Sequence, residues 1–171
     1  MTKNTETVEE LFGHAIALER ASQTLYMRLQ DMFSAHPEVA LFWKRYADEE
    51  EGHARYLERV KANVDPKRLS QQADENMLEK VLHCLERTSP NRLAGIKTLD
   101  DAYELAVELE SSETNAVFEF MIMNFSTGEL AVSHKFLQTQ LSVHATRFET
   151  DFPNPYKSKI ARQQVVVPQQ H

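Results

Sequence analysis

The sequence predicts an all-α protein, a four-helix bundle in which two helical hairpins are joined by a long crossover that contains a short helix. Only four of the 171 residues are glycine, and long segments are rich in Glu, Leu, Ala, Arg and Gln, which favour helices. Apolar residues recur in these segments at the three- and four-residue spacing of an amphipathic helix. Prolines stand at positions 37, 66, 90, 153, 155 and 168, so they separate the periodic segments instead of interrupting them.

The first hairpin is predicted from the two segments that flank Pro37. Thr7 and Glu10 have the spacing of a capping box at the start of the first helix. Pro37 suits the first turn of the second helix. The apolar residues along one face of the first helix, its apolar stripe, are Val8, Leu11, Phe12, Ala15, Leu18, Leu25, Tyr26, Leu29 and Phe33. The stripe of the second helix contains Val39, Phe42, Trp43, Tyr46, Leu57 and Val60.

The crossover and the second hairpin occupy the rest of the predicted domain. The amphipathic stretch from Met77 to Leu85 is interpreted as a crossover helix that lies over the surface. The third helix begins near Leu99, and residues 126–129 supply a turn and a second capping-box pattern before the fourth helix. We expect one bundle domain over residues 1–152. The tail over residues 153–171 is expected to be extended or poorly ordered, without chemistry of its own.

Composition argues against several classes of protein. The net charge of −7 argues against a nucleic-acid binder, which usually presents a basic face. Cys84 is the single cysteine, which excludes an intrachain disulfide and a cysteine-rich iron–sulfur or structural zinc site. The first ten residues lack the apolar stretch of a secretory signal, and the most apolar run, residues 116–125, is too short to span a bilayer. We therefore expect a cytoplasmic protein that binds neither nucleic acid nor membrane.

Ionisable residues stand on the apolar stripes at the middle height of each predicted helix. Residues three or four apart share a helix face, so these side chains are expected to point into the bundle. Unpaired buried charges are strongly unfavourable, and metal cations are the partners that would neutralise them. These six inward-facing residues are Glu19, Glu50, His53, Glu110, Glu113 and His144.

The two halves of the chain match at one constant offset. Residues 15–19 (AIALE) correspond to residues 106–110 (AVELE), and His53 corresponds to His144, both at a separation of 91 residues. An offset shared by two separate helix pairs indicates a helical hairpin used twice around a pseudo-two-fold axis. A paired metal site would lie on that axis.

The six inward-facing residues resemble the ligand pattern of the rubrerythrin branch of the ferritin-like superfamily. The resemblance extends over about residues 7–152, and residues 47–57 look like the second helix of that family. It implies a ferritin-like bundle with a di-iron carboxylate site in which all six residues are metal ligands. The rubredoxin domain of full-length rubrerythrins is absent, because one cysteine cannot build its four-thiolate iron site.

The chain departs from the family pattern at Leu141. The family has Glu-x-x-His on its second and fourth helices, whereas the fourth helix here reads Leu-Ser-Val-His over residues 141–144. Glu113 restores the total of four glutamates and two histidines, and we hypothesise that it covers the position that Leu141 leaves empty. The main alternative to a symmetric di-metal site is an asymmetric site or a site for a single metal ion.

The resemblance implies an oxidoreductase that reduces peroxide or oxidises ferrous iron, in oxidative-stress defence or iron handling. The expected cofactor is two iron ions per chain, with zinc as a substitute in purified protein. The oxidant would be peroxide or dioxygen, and the reductant would be an external electron donor such as a rubredoxin. No catalytic residue is expected beyond the metal ligands. The alternatives are a non-catalytic iron or zinc binder and a degenerate bundle that acts as an interaction module.

Two further expectations concern apolar and aromatic positions. Phe118 and Ile122 are treated as exposed positions that would support a homodimer. Tyr26 lies two turns after Glu19 on the same face, where it is either a core aromatic residue or a hydrogen-bond donor to a ligating carboxylate. The interpretation as a core residue is slightly favoured.

Overall fold

Two long antiparallel helices form the first hairpin of the fold. The structure, a computed structural model, describes residues 5–111, 114–126 and 151. Helix α1 spans Val8–Met32 and helix α2 spans Pro37–Asn63. Lys61 pairs with Glu9 near one end of the hairpin, and the ring of Tyr26 stacks on Trp43 towards the other, so the helices run in opposite directions.

The starts of both helices follow the sequence prediction. Thr7 and Glu10 form the capping box, because the Thr7 side chain accepts from the Glu10 amide while the Glu10 carboxylate accepts from the Thr7 amide at 2.7 Å. Pro37 occupies the first turn of α2, where its missing N–H removes no helical hydrogen bond. These features set where each of the two helices begins.

The crossover contains two short helices and a 3₁₀ helix. Helix α3 spans Pro66–Leu69, helix α4 spans Glu75–Arg87, and the 3₁₀ helix spans Pro90–Gly95. The Asp74 side chain caps α4 by accepting from the amide of Met77 at 2.8 Å. A helix is confirmed where the crossover helix was predicted, and its apolar face joins the core through Met77, Leu78, Val81 and Cys84.

The crossover also pairs with the start of the chain, which the sequence did not predict. The amide of Val8 donates to the carbonyl of Gln71, and the amide of Ala73 donates to the carbonyl of Glu6, each at 2.9 Å. These two bonds form an isolated antiparallel bridge. They tie the N-terminal end of α1 to the segment just before α4.

The predicted third helix is described as two helices on either side of residues 112–113. Helix α5 spans Leu99–Ser111 and helix α6 spans Thr114–Phe125. The expectation that Phe118 and Ile122 are exposed is wrong, because both side chains are buried. Helix α6 packs across α1, α2 and α4 and buries a wide face that includes both residues.

Two large apolar clusters and a smaller one of Leu25, Leu105 and Leu109 pack the described part of the interior around three buried polar residues. One joins the N-terminal half of α1, the C-terminal half of α2, α4 and α6. The other joins the C-terminal half of α1, the N-terminal half of α2 and α5, with Tyr26, Phe42, Trp43, Tyr46 and Tyr103 as its aromatic members. The polar residues Glu19, Ser22 and Glu50 are buried between these clusters.

The described part of the chain is all-helical and compatible with a helical bundle. The predicted fourth helix falls in residues 127–150 and the predicted tail in residues 153–171, and both lie outside the described residues. Among the helices that the structure describes, none combines the length and the hydropathy that a bilayer crossing requires.

Candidate metal centre

Three of the six inward-facing residues converge inside the α1–α2 hairpin. Glu19 lies at the middle of α1, and Glu50 and His53 lie one turn apart at the middle of α2. Residues three apart share a helix face, so the carboxylate and the imidazole of α2 both face α1. We call Glu19, Glu50 and His53 the three-residue cluster.

The spacing of the ligand atoms suits one cation. The Nδ1 atom of His53 lies 3.4 Å from Oε2 of Glu19 and 3.4 Å from Oε2 of Glu50. One ligand atom from each residue lies within 4.8 Å of the other two. Transition-metal ions bind carboxylate oxygen and imidazole nitrogen at about 2.0–2.2 Å. Two ligand atoms that share one ion are therefore at most about 4.4 Å apart, and the two distances of 3.4 Å from His53 to the carboxylates lie within that limit.

Burial and hydrogen bonding support a cation at this place. Glu19 is 2% exposed and Glu50 is 4% exposed. Oε2 of Glu19 is buried and accepts no hydrogen bond from the described residues, since the 3.4 Å contact with His53 is close enough for an ion pair but lacks hydrogen-bond alignment. The ion pair with His53 satisfies this buried oxygen only in part, and a metal ion would supply a closer partner. The donor set of two carboxylates and one imidazole suits first-row divalent cations.

Electrostatics keeps protons in the cluster when no metal is bound. Burial, reinforced by the neighbouring carboxylate of Glu19, raises the pKa of Glu50 to about 7. Burial alone would lower the pKa of His53, but its contacts with Glu19 and Glu50 outweigh that effect and raise the pKa well above its ordinary value. A cation must therefore displace protons from the cluster as it binds.

Glu110 is buried beside the cluster and has a different partner. It lies on α5 at 7% exposure, and the hydroxyl of Tyr26 donates a hydrogen bond to its Oε1. The pKa of Tyr26 is raised, first by burial and then by the negative charges of Glu110 and Glu50. Both carboxylates therefore act on this hydroxyl. Tyr26 is a core aromatic residue and also donates a hydrogen bond to a carboxylate, whose predicted role as a metal ligand stays a prediction.

The remaining predicted ligands cannot be placed. Glu113 and His144 lie outside the described residues, as does Leu141. The structure thus brings together Glu19, Glu50 and His53, and buries Glu110 against Tyr26. The role of the six inward-facing residues as metal ligands stays a prediction.

Comparisons of the chain with protein-family models, with curated proteins and with solved structures found no match. The resemblance to rubrerythrins therefore depends on the motif residues themselves.

Phe118 contacts the candidate centre, and the sequence analysis missed it. Its ring centroid lies 4.5 Å from that of His53, and its side chain is fully buried. Phe118 falls in the apolar run of residues 116–125, and this run was the available signal. The contact restricts the orientation of the imidazole.

Aromatic side chains of α1 and α2 close the other side of the centre. The ring of Tyr26 stacks on Trp43 with centroids 6.0 Å apart and leans on Tyr46 at 5.6 Å. Phe42 contacts both Trp43 and Tyr46 at about 5 Å. Among the described residues, the oxygen and nitrogen atoms of the three-residue cluster thus lie near aromatic and apolar side chains, which strengthens the electrostatic interactions between them.

Proposed function

We propose that the chain is a ferritin-like, rubrerythrin-type oxidoreductase whose bundle holds a non-haem iron centre for peroxide reduction or ferrous-iron oxidation. The observation that carries this proposal is the buried convergence of Glu19, Glu50 and His53, together with the Glu19 oxygen that accepts no hydrogen bond from the described residues. A stable fold tolerates such a cluster when a cation neutralises it. The one-turn spacing of Glu50 and His53 and the 91-residue repeat favour the ferritin-like arrangement over other helical bundles.

Each side chain has a defined task in this proposal. Glu19, Glu50 and His53 bind the first cation, and Glu110 supplies a further carboxylate. Glu113 and His144 are the predicted ligands from the remaining part of the repeat. Reduction of an O–O bond by electrons from bound iron is the chemistry that such a centre supplies. His53 and Glu50 release protons when the cation binds, and Phe118 and the tyrosine–tryptophan cluster exclude water.

The proposal includes an external electron donor, such as a rubredoxin, in the cytoplasm. Cys84 is the single cysteine of the chain, and it is buried in the core. These residues therefore cannot build a four-thiolate iron site, and the proposal assigns the supply of electrons to a separate donor.

Anaerobic loading with Fe(II) tests the proposal. We expect about two irons per chain for a di-iron centre, rapid oxidation by hydrogen peroxide and a near-ultraviolet absorption band from oxidised iron. Glu50→Gln and His53→Ala are expected to abolish both binding and oxidation. Glu51→Gln is the matched control, because this neighbouring carboxylate pairs with Arg55 on the outer side of α2. Absence of stoichiometric metal in the wild-type protein would leave the interaction module as the remaining function.

A non-catalytic metal binder is the second candidate function. It is favoured by the three-residue cluster, which by itself is a site for one ion, and by the leucine at position 141. One tightly bound zinc or iron per chain, with no oxidation by peroxide, would select this candidate over the enzyme.

A further inference from the structure

The imidazole of His53 is the part of the three-residue cluster that reaches the protein surface. Its side chain is 15% exposed, whereas the side chains of Glu19 and Glu50 are 2% and 5% exposed. The two carboxylates are therefore almost completely shielded from solvent, and one edge of the imidazole is not. A solute that approaches the cluster from bulk water meets His53 before it meets either carboxylate.

The residues around His53 on α2 show on which side of the helix this edge lies. Residues three and four apart are neighbours on a helix surface, and for His53 these are Glu49, Glu50, Tyr56 and Leu57. Glu50 and Leu57 lie on the side that packs into the core, where both are buried. Glu49 and Tyr56 lie on the other side of the imidazole, and Glu49 is only partly buried. The exposed edge therefore lies on the side of α2 that carries Glu49 and Tyr56.

A glycine lies between the two residues that border this edge. Gly52 is three residues after Glu49 and four before Tyr56, so it is adjacent to both on the helix surface. It is exposed, and a Cβ atom added to it would meet no atom of the described residues within 4 Å. Glycine is less favourable than alanine in the interior of a helix. Helix α2 thus has a helix-destabilising residue at a position where a larger side chain would fit.

The rest of the imidazole is covered. The ring of Phe118 packs against it at an interplanar angle of 32°, and Nδ1 faces the carboxylates of Glu19 and Glu50. The imidazole therefore stands between the buried carboxylates and the solvent beside Gly52.

We propose that the edge of His53 beside Gly52 is the entrance by which a divalent cation reaches the three-residue cluster, and that the absence of a side chain at position 52 keeps this entrance open. This role of Gly52 rests on the proposed metal-binding function. It concerns the rates of binding and leaves the equilibrium unchanged, because an obstacle at an entrance slows association and dissociation by the same factor and Kd is the ratio of the two rate constants.

Stopped-flow binding of Co²⁺ to the full-length, metal-free protein tests this role, with the visible absorption of the bound ion as the readout. Gly52→Leu is expected to slow both association and dissociation by about tenfold or more and to keep Kd within about twofold of wild type. Gly13→Leu is the matched control and is expected to bind at the wild-type rate. Gly13 is also exposed, and an added Cβ there is likewise clear of the described part of the chain, but it lies on α1, six residues before Glu19.

Gly52→Ala distinguishes a blocked entrance from a stiffer helix. Alanine and leucine have similar helix propensities, so the two substitutions stabilise α2 to a similar degree. A methyl group is too small to cover the edge of the imidazole, so Gly52→Ala is expected to bind Co²⁺ at nearly the wild-type rate. Equal slowing by alanine and leucine would mean that the cation enters when α2 opens, and would overturn the entrance.

The remaining outcomes separate the entrance from the proposed function. Wild-type rates in Gly52→Leu, or the same slowing in Gly13→Leu, would overturn the entrance while leaving metal binding intact. Failure of the wild-type protein to bind Co²⁺, Mn²⁺ or Fe²⁺ would overturn both.

Discussion

Nδ1 of His53 lies 3.4 Å from Oε2 of Glu19, across the interface between the two helices of the first hairpin. Glu50 lies at the same distance from the same nitrogen. When all three groups are ionised, two negative charges and one positive charge share a site with little access to water. In that fully ionised state the cluster has one negative charge in excess, and the raised pKa of Glu50, about 7, reflects this imbalance as well as burial.

Replacement of Glu19 by glutamine is expected to stabilise the metal-free protein by about 1 kcal/mol and to abolish metal binding. The substitution removes the excess charge and leaves Glu50 and His53 as a neutral pair. Chemical denaturation of the metal-free protein measures the first effect, and Co²⁺ titration measures the second. Glu58→Gln is the control, since Glu58 forms an exposed ion pair with Arg20. Marked destabilisation together with retained metal affinity would contradict the prediction.

The metal-free protein is expected to become less stable as pH rises. The pKa of Glu50 is raised from 4.5 to about 7, so the folded chain holds this proton more tightly than the unfolded chain. The proton on Glu50 therefore stabilises the folded protein. Its contribution to the free energy of unfolding is complete below about pH 4.5 and is lost as pH rises through about 7. The raised pKa of His53 acts in the same direction. Its contribution to the free energy of unfolding is complete below about pH 6.5 and is lost as pH rises through the pKa of His53 in the folded protein.

We expect the free energy of unfolding of the metal-free protein to fall by on the order of 1–3 kcal/mol between about pH 5.5 and about pH 8. Denaturation at a series of pH values measures this slope. Glu50→Gln has no carboxyl group to titrate at this position, so its slope should be clearly flatter. An equal slope in both proteins would mean that Glu50 is not the group responsible.

Metal affinity is expected to show the opposite dependence on pH. Each proton that the cation displaces makes the apparent affinity rise about tenfold per pH unit below the pKa of the group that loses it. Co²⁺ titrations at several pH values between about 6 and 8 measure the number of protons released. A pH-independent affinity over this range would indicate that the ion binds outside the three-residue cluster.

Truncation of Phe118 to alanine is expected to destabilise the protein by about 3–5 kcal/mol, as is typical of a fully buried phenylalanine. Metal affinity should fall as well, because the ring that restricts His53 is removed. Met123→Ala on the same helix is the control. Met123 is 56% exposed, so its truncation should change stability by less than about 0.5 kcal/mol. Similar small effects at both positions would place Phe118 on the surface after all.

Much of the local structure could be predicted because its causes lie close together in the chain. The Thr7–Glu10 capping box and the position of Pro37 depend on residues within one helical turn, and both predictions are confirmed. Helical periodicity also predicted that Glu19, Glu50 and Glu110 face the interior, and all three are buried. Periodicity failed at Phe118, because the width of a buried face depends on how many neighbouring helices cover it.

The sequence by itself determined where α1, α2 and α4 lie and that Glu19, Glu50 and Glu110 turn inward. Only the tertiary structure decided which of those side chains contact each other. Helical periodicity tells which side of a helix a residue faces, but not which other helix packs on that side or how far that helix is shifted along the axis. The packing of α1 against α2 brings Glu19 to Glu50 and His53, and the position of α5 pairs Glu110 with Tyr26. These contacts join residues far apart in the chain, so their geometry follows from the packing of whole helices.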